Sequence, residues 1–386
     1  PGKEMRILHT SDWHLGKSIY GQNLLEDQDH TLKELVREIN GGYDAVLISG
    51  DIYDRGIPPS GAVELFSWFI EKMVEKKVPV VIIPGNHDSP ARLDFASGVL
   101  EKNGVHFRCG YDRLTDPVII EDAQENIAEI FALPFVDEIT VKSRFSEAGI
   151  RTHQEATEYL LDEIRKVKDP ESISILMAHS YTGKKAYRSD SERELLVGNQ
   201  GFVESEIFRG FDYVAMGHLH RPQTASKSNN IIYSGSLIPY SFSESGHTKS
   251  SVSLEFDGDD MNIRRIPHKL RRNFSVLEDS MKNLTEDERY SGYRDHYLSV
   301  SLTDSGLLVD IHKRLMERFP HVLEIDQPAL HIETDGPENI SREDADDPAR
   351  LFSLFLDRFQ WKENRERAME IFHEIRKEIE RREVNS

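Results

Sequence analysis

A single cysteine, Cys109, stands among the 386 residues. One cysteine excludes an intrachain disulfide and fits the reducing cytoplasm in which this protein is expected. No apolar run approaches the ~18 residues that a spanning helix needs. No secretory leader is read either, so no membrane association is expected. A Gly-x-x-x-x-Gly-Lys-Ser/Thr loop is also missing, so any dependence on ATP has to come through another chain. Basic charge is scarce: 48 Lys and Arg against 68 Asp and Glu leave a formal charge of −20. That balance excludes polyanion binding by overall charge alone. Bound divalent cations would offset part of it locally, and a partner chain would add basic surface. Part of the acid is also concentrated in residues 333–348, with seven acids and one arginine, a linker by composition.

What is present is an alternation of short apolar runs and amphipathic stretches over residues 5–265, the pattern of an α/β layered domain. Strands are predicted at Arg6–Thr10, Ala45–Ser49, Val80–Ile83, Ile173–Met177 and Tyr213–Met216. Helices are predicted at Gln28–Asn40, Ser60–Lys76 and Thr152–Val167. In the first, Leu32, Leu35, Val36 and Ile39 share one face. A basic stretch (Arg264, Arg265, Lys269, Arg271, Arg272) leads into a smaller unit, residues 270–332. That unit has a strand-like segment at His296–Leu302 and a helix-like one at Leu307–Phe319. After the linker, residues 349–386 read as two helical stretches, Ala349–Phe359 and about Asn364–Arg382.

Five short segments carry the chemistry, each directly after one of the predicted strands. They are Asp12-Trp13-His14, Gly50-Asp51-Ile52-Tyr53-Asp54, Gly85-Asn86-His87-Asp88, Ala178-His179 and Gly217-His218-Leu219-His220. Carboxyl ends of strands are where open α/β sheets form their sites. Alone, each segment is an ordinary turn; five in this order, each behind an apolar run, are not. Asp12, His14, Asp51, Asn86, His179, His218 and His220 offer seven oxygen and nitrogen donors, a set suited to Mn, Fe, Zn or Mg. One metal does not need seven donors; two ions sharing a bridging carboxylate do. Such a pair clamps a phosphoryl group and makes water nucleophilic near neutral pH. Gly50, Gly85 and Gly217 precede donors and are expected to supply positive φ for sharp turns.

The order D-x-H, G-D-x-x-D, G-N-H-D, H, G-H-x-H resembles the calcineurin-like metallophosphoesterase superfamily over about Met5–Leu254. Narrower segments are similar to its SbcD-type nuclease branch: Met5 to Lys17, Gly50 to Ser60, Pro84 to Ser89 and Tyr233 to Glu244. The resemblance implies a two-sheet sandwich flanked by helices, a small α/β capping domain that meets DNA, and a helical tail. It implies that Asp12, His14, Asp51 and His220 hold one metal, and that Asp51, Asn86, His179 and His218 hold the other. His87 is implied as the histidine beside the scissile phosphate, with Asp88 orienting it. Manganese is the expected metal. The implied activity is DNA exonuclease and endonuclease cleavage at double-strand breaks and hairpins, within an SbcCD-type complex serving repair, recombination and replication. The implied partners are DNA, an SbcC-type ATPase bound by the C-terminal helices, and a second copy of the chain.

The homodimer contact is implied for Ser60–Lys76 and a second helix at about Ala91–Lys102. The apolar face Leu65, Phe66, Phe69, Ile70 and Met73 is otherwise ordinary core. Lys184, Lys185, Arg188 and Arg193 either meet DNA phosphates or lie in a solvated loop, and the stretch from Arg264 to Arg272 either tracks DNA or is a charged linker. The rival reading is a small-molecule or cyclic-nucleotide phosphodiesterase, which suits the acidic charge but leaves the capping unit and tail unexplained. A scaffold with a dead site is disfavoured because all seven donor types are intact.

Overall fold

The computed structural model describes residues 5–40, 42–183, 186–192, 201–258, 260–306, 308–330, 347–358 and 365–384. The chain divides into two compact units: Pro1–Ser275 with Asp295–Tyr297, and Val276–Arg294 with Leu298–Ser386.

In the first unit, apolar runs too short for helices form two six-stranded sheets. One runs in the order Asp260–Pro267, Ser250–Asp257, Met5–Thr10, Ala45–Ser49, Val80–Ile83, Val105–Phe107. The other runs Gln223–Ser226, Ile231–Tyr233, Tyr213–Gly217, Ile173–His179, Ile127–Leu133, Val118–Glu121. The central strands are parallel within each sheet, so their carboxyl ends lie at one edge. Side chains of alternating strand residues meet between the sheets: Ile7, Leu47 and Val81 from the first, Ile175, Met177 and Ala215 from the second. The opposite face of the second sheet buries Leu176, Ala178, Val214 and Met216 with Leu160, Leu161 and Ile164 of the helix His153–Arg165. Strands buried on both faces read as continuous apolar runs, which is why the sequence shows them plainly. Thr152 caps that helix and Glu155 reciprocates, a capping box that fixes its start.

One sequence expectation needs correction here. Residues 91–102 do not form one helix. They form turns at Pro90–Leu93 and Ser97–Leu100, then a tighter turn at Glu101–Asn103. Ala96 sits between them at φ 58°, where an α-helix cannot continue. The apolar face of Ser60–Lys76 is core: Phe69 is fully buried, edge-on to Trp13 with ring centroids 4.9 Å apart. The apolar side chains left exposed nearby are Ile57, Val63, Phe95 and Val99.

The basic stretch is largely paired within this unit. Arg271 pairs with Glu26, Lys269 with Glu34 at 3.2 Å, Arg272 with Asp27 at 3.4 Å and Arg264 with Glu255 at 3.1 Å. Each exposed pair is worth little in stability, but the charges are met, which favours the charged-linker reading over a DNA track.

Most of a three-stranded sheet, Phe274–Asp279, Tyr297–Leu302 and Val322–Asp326 in that order, lies in the second unit. Its own core joins Leu277, Leu284, Val300, Leu315 and Phe319 with the helices Met281–Glu286 and Ile311–Arg318. Helices follow at Pro348–Arg358 and Arg365–Val384, where Phe352 stacks on Phe372 at 4.6 Å. Ile371 and Ile375 stay exposed on the latter. Most of the acidic linker, the side chains of Phe355, Phe359 and Ile379, and Lys184, Lys185 and Arg193 lie outside the described residues.

Candidate metal centre

Each of the five segments leaves a strand at the same edge of the sandwich, and the turns are held in unusual backbone. Asp12, His14, Asp51 and His218 have φ of 53°, 43°, 52° and 105°. A non-glycine residue in such a conformation costs on the order of 1–3 kcal/mol and persists only where the surroundings impose it, typically at functional sites. Of the three glycines, only Gly50 has positive φ, at 90°. Gly85 and Gly217 serve close approach instead. A Cβ on Gly85 would collide with the Asp51 carboxylate, and one on Gly217 with the Ser49 carbonyl.

The turns bring the donors together. His14 Nε2 lies 3.0 Å from His220 Nε2 and 3.5 Å from Asp51 Oδ2. His179 Nε2 is 3.5 Å from the same Asp51 oxygen and 3.0 Å from Asn86 Oδ1. Donor atoms of Asp12, His14 and His220 lie mutually within 4.8 Å, as do those of Asp12, Asp51 and His179. Asp12 and Asp51 therefore sit between the two groups of histidines. The His218 ring lies 5.4 Å from that of His179, and its backbone N–H donates to the Asp12 carboxylate at 3.0 Å. Six of the seven donors are buried; Asn86, like neighbouring His87, is half-exposed and marks the open side of the cluster.

The electrostatics are those of a place for cations. Burial drives His14 and His218 well below the usual imidazole range. Burial also opposes ionisation of Asp51, yet the adjacent His179 outweighs it and holds that carboxylate well below its usual range. His179 is pushed up to about 9 because Asp51 overcomes the effect of burial. A cation between these groups would replace that proton. Inside the cluster two imidazole nitrogens, His14 Nε2 and His220 Nε2, face one another at 3.0 Å. Unsatisfied buried nitrogen is costly, and divalent cations satisfy it. The donor set fits a pair of divalent ions.

His87 and Asp88 do different work from one another. His87 donates its backbone N–H to Asp51 Oδ1 at 2.9 Å, and its Nδ1 meets the Asp54 carbonyl at 2.8 Å. A carbonyl only accepts, so that bond fixes Nδ1 as the protonated nitrogen and leaves Nε2 to exchange a proton. The orienting contact therefore comes from Asp54, and the expectation that Asp88 orients His87 is corrected. The Asp88 carboxylate instead accepts the N–H groups of Gly85, Ile52 and Tyr53 at 2.9, 3.1 and 3.0 Å, tying the second and third segments together. Burial and the nearby charge of Asp51 push it up to about 7, against those three bonds.

Sequence reasoning missed the supporting residues. Gln28 accepts the Gly16 N–H at 3.0 Å and donates to the carbonyls of Trp13 and His14 at 3.1 and 2.8 Å, holding the first segment on the helix Leu25–Ile39. Glu192 accepts the His220 N–H at 2.7 Å. Glu244 and Lys249 form a wholly buried ion pair behind His220. The sequence signals were Glu244, which closes the segment Tyr233 to Glu244, and Lys249, a charge directly before the strand Ser250–Asp257.

Two stacked mixed sheets with a histidine- and carboxylate-rich cluster at their shared edge define a metal-dependent phosphoesterase. The model of the calcineurin-like phosphoesterase family matches residues 5–222, which include all seven donors. The SbcD subunit of nuclease SbcCD from Staphylococcus epidermidis is 32% identical over 340 residues, 87% of this chain and 88% of that one. The same subunit from Staphylococcus saprophyticus is 31% identical over 354 residues, 91% and 92% of the two chains. The chain belongs to the calcineurin-like phosphoesterase family and, within it, to the SbcD-type nuclease subunits.

Proposed function

We propose that this chain is the nuclease subunit of an SbcCD-type complex, cutting DNA phosphodiesters by exonuclease and endonuclease action during double-strand-break and hairpin processing. The observation that carries the reading is the convergence of Asp12, His14, Asp51, Asn86, His179, His218 and His220, in a chain similar along most of its length to SbcD subunits. Asp12, His14, Asp51 and His220 would hold one divalent ion and Asp51, Asn86, His179 and His218 the other, with manganese the expected metal. When bound, the ions neutralise charge on the phosphoryl group and make water nucleophilic near neutral pH. Asp51 presents one oxygen toward His14 and His179, while its other is pinned by the His87 N–H. His87, half-exposed beside it, exchanges a proton with the leaving oxygen through Nε2. Asp88 is a positioning residue. Chelation by EDTA is expected to abolish cleavage of linear duplex DNA, and added Mn2+ to restore it. Undiminished cleavage in EDTA would contradict the metal-dependent reading.

The second unit up to about residue 332 acts as the capping, DNA-binding part, and the helices after the linker dock the ATPase. Amphipathic helices with exposed Ile371 and Ile375 suit docking into a groove. Deleting residues 345–386 is expected to leave a folded nuclease that no longer co-purifies with the SbcC-type ATPase; unchanged affinity would refute the docking role.

The second copy of the chain covers the exposed apolar side chains Ile57, Val63 and Phe95, which line one groove. Phe95→Glu is expected to give monomers with weaker DNA binding by analytical ultracentrifugation and DNA titration. The buried Phe69 is no test of the interface, because its replacement attacks the core. A wild-type chain that sediments as a monomer at micromolar concentration would refute the dimer. The acidic charge of −20 favours the rival small-molecule phosphodiesterase, which a direct substrate comparison separates.

A further inference from the structure

Behind His220 lies a chain of polar groups, Glu244 and Lys249 buried and Ser191 half-exposed. The His220 Nδ1 meets the Ser191 hydroxyl at 2.5 Å. The Ser191 hydroxyl in turn contacts the Glu244 carboxylate, which also takes the Ser189 hydroxyl at 3.0 Å. The other Glu244 oxygen accepts from Lys249 Nζ and from the Tyr240 N–H at 3.3 Å. Lys249, fully buried, completes its three donors on the His220 carbonyl at 2.8 Å and the Ser236 hydroxyl at 2.8 Å. Two charges taken out of water are costly unless paired and fully hydrogen-bonded, as these are. A buried pair of this kind stabilises no better than an apolar pair of similar volume, so another role accounts for it better. Glu244 and Lys249 also lie beyond residues 5–222, outside the part that the family model matches.

The directions of the bonds follow from the chemistry. Lys249 holds Glu244 ionised, and a carboxylate only accepts, so the Ser191 hydroxyl donates its one proton to Glu244. The Ser191 oxygen is then left to accept, so His220 must carry its proton on Nδ1. Its Nε2, the nitrogen that faces His14 at 3.0 Å, is thereby left with a lone pair aimed into the donor cluster. Partners of this kind on the far nitrogen of a ligating histidine set its tautomer and orientation.

We propose that Ser191, Glu244 and Lys249 form a serine-bridged relay that fixes His220 as the Nδ1–H tautomer and so sets the affinity of the metal site that His220 serves. The inference rests on the reading of His220 as a metal ligand. The three are positioning residues, since they act through the His220 ring and carbonyl and none is one of the seven donors. Ser191 is the cleanest place to cut the relay, because its loss removes no charge and leaves the Glu244–Lys249 pair intact.

The test uses the full chain with Ser191→Ala, and Glu244→Gln with Lys249→Met as a double variant that removes both charges at similar volume. Two readouts are taken: nitrogen chemical shifts of the His220 ring in metal-free protein, and calorimetric titration with Mn2+. Wild type is expected to show the Nδ1–H tautomer and two bound ions. Both variants are expected to show a tautomer mixture and a ~10- to 100-fold weaker affinity at one site, with the other unchanged. Unaltered tautomer and affinity in Ser191→Ala would overturn the relay while leaving the metal reading intact. A wild type that binds no metal would instead overturn the ligand role of His220, and the relay with it. Circular dichroism of each variant separates unfolding from a local effect. Should the double variant unfold, Ser191→Ala alone decides.

Discussion

Asp51→Ala is expected to lose DNA cleavage by at least ~10³-fold and to retain little metal. The reason is its position. A single oxygen of Asp51 lies 3.5 Å from both His14 Nε2 and His179 Nε2, so it stands between the two sets of donors. Removing it strips a negative charge from the centre of a cluster whose remaining donors are mostly imidazoles. Losing metal charge stabilisation worth several kcal/mol corresponds to a rate loss of that size. The variant also frees the backbone N–H of His87, which Asp51 Oδ1 accepts at 2.9 Å, so the third segment is expected to loosen. Elemental analysis of the purified variant checks the claim. A variant that still holds two tightly bound ions would rule out a bridging role for Asp51.

His87→Ala is expected to behave differently: both ions kept, DNA binding kept, cleavage slower by ~10²-fold or more, the usual loss for a removed acid catalyst. His87 is half-exposed where the other histidines of the cluster are buried. Its Nδ1 is engaged with the Asp54 carbonyl at 2.8 Å, which leaves Nε2 free to exchange a proton but does not by itself separate that role from ligation. His87 does stand in one of the carboxylate–histidine groupings, with His14 and Asp51, so metal content is the discriminating measurement. If the variant loses an ion, His87 is a ligand and the assignment of roles has to be redrawn. Its ring is edge-on to His14 at 4.7 Å, so a small change in that neighbour is expected as well.

The strands were legible because burial on both faces writes itself as unbroken apolar runs. Ala45–Ser49 and Val80–Ile83 appear in the structure with the ends expected from the sequence. Legibility failed where a single backbone torsion decided the outcome. Nothing in the apolar spacing of Leu93, Phe95, Val99 and Leu100 announces that Ala96 turns left-handed and splits the helix. It failed again for Phe69, because periodicity names an apolar face without saying whether core or partner covers it. The donor segments were legible by their order along the chain. The groups that hold them were not: Gln28, Glu192, Glu244 and Lys249 reach the site from distant stretches, and their pairing exists only in three dimensions. The charges of Lys269, Arg271 and Arg272 likewise read as a basic patch until Glu34, Glu26 and Asp27 are found beside them.

The central claim is that this metal-dependent phosphoesterase acts on DNA. The most direct measurement compares one preparation of the chain, with Mn2+ and with Mg2+, on linear duplex DNA, on a hairpin-ended duplex, on bis-p-nitrophenyl phosphate and on a cyclic nucleotide. Degradation of both DNA substrates, faster with Mn2+ than with Mg2+ and lost in Asp51→Ala, is the predicted result. Rapid hydrolysis of the cyclic nucleotide with no cleavage of either DNA would contradict it.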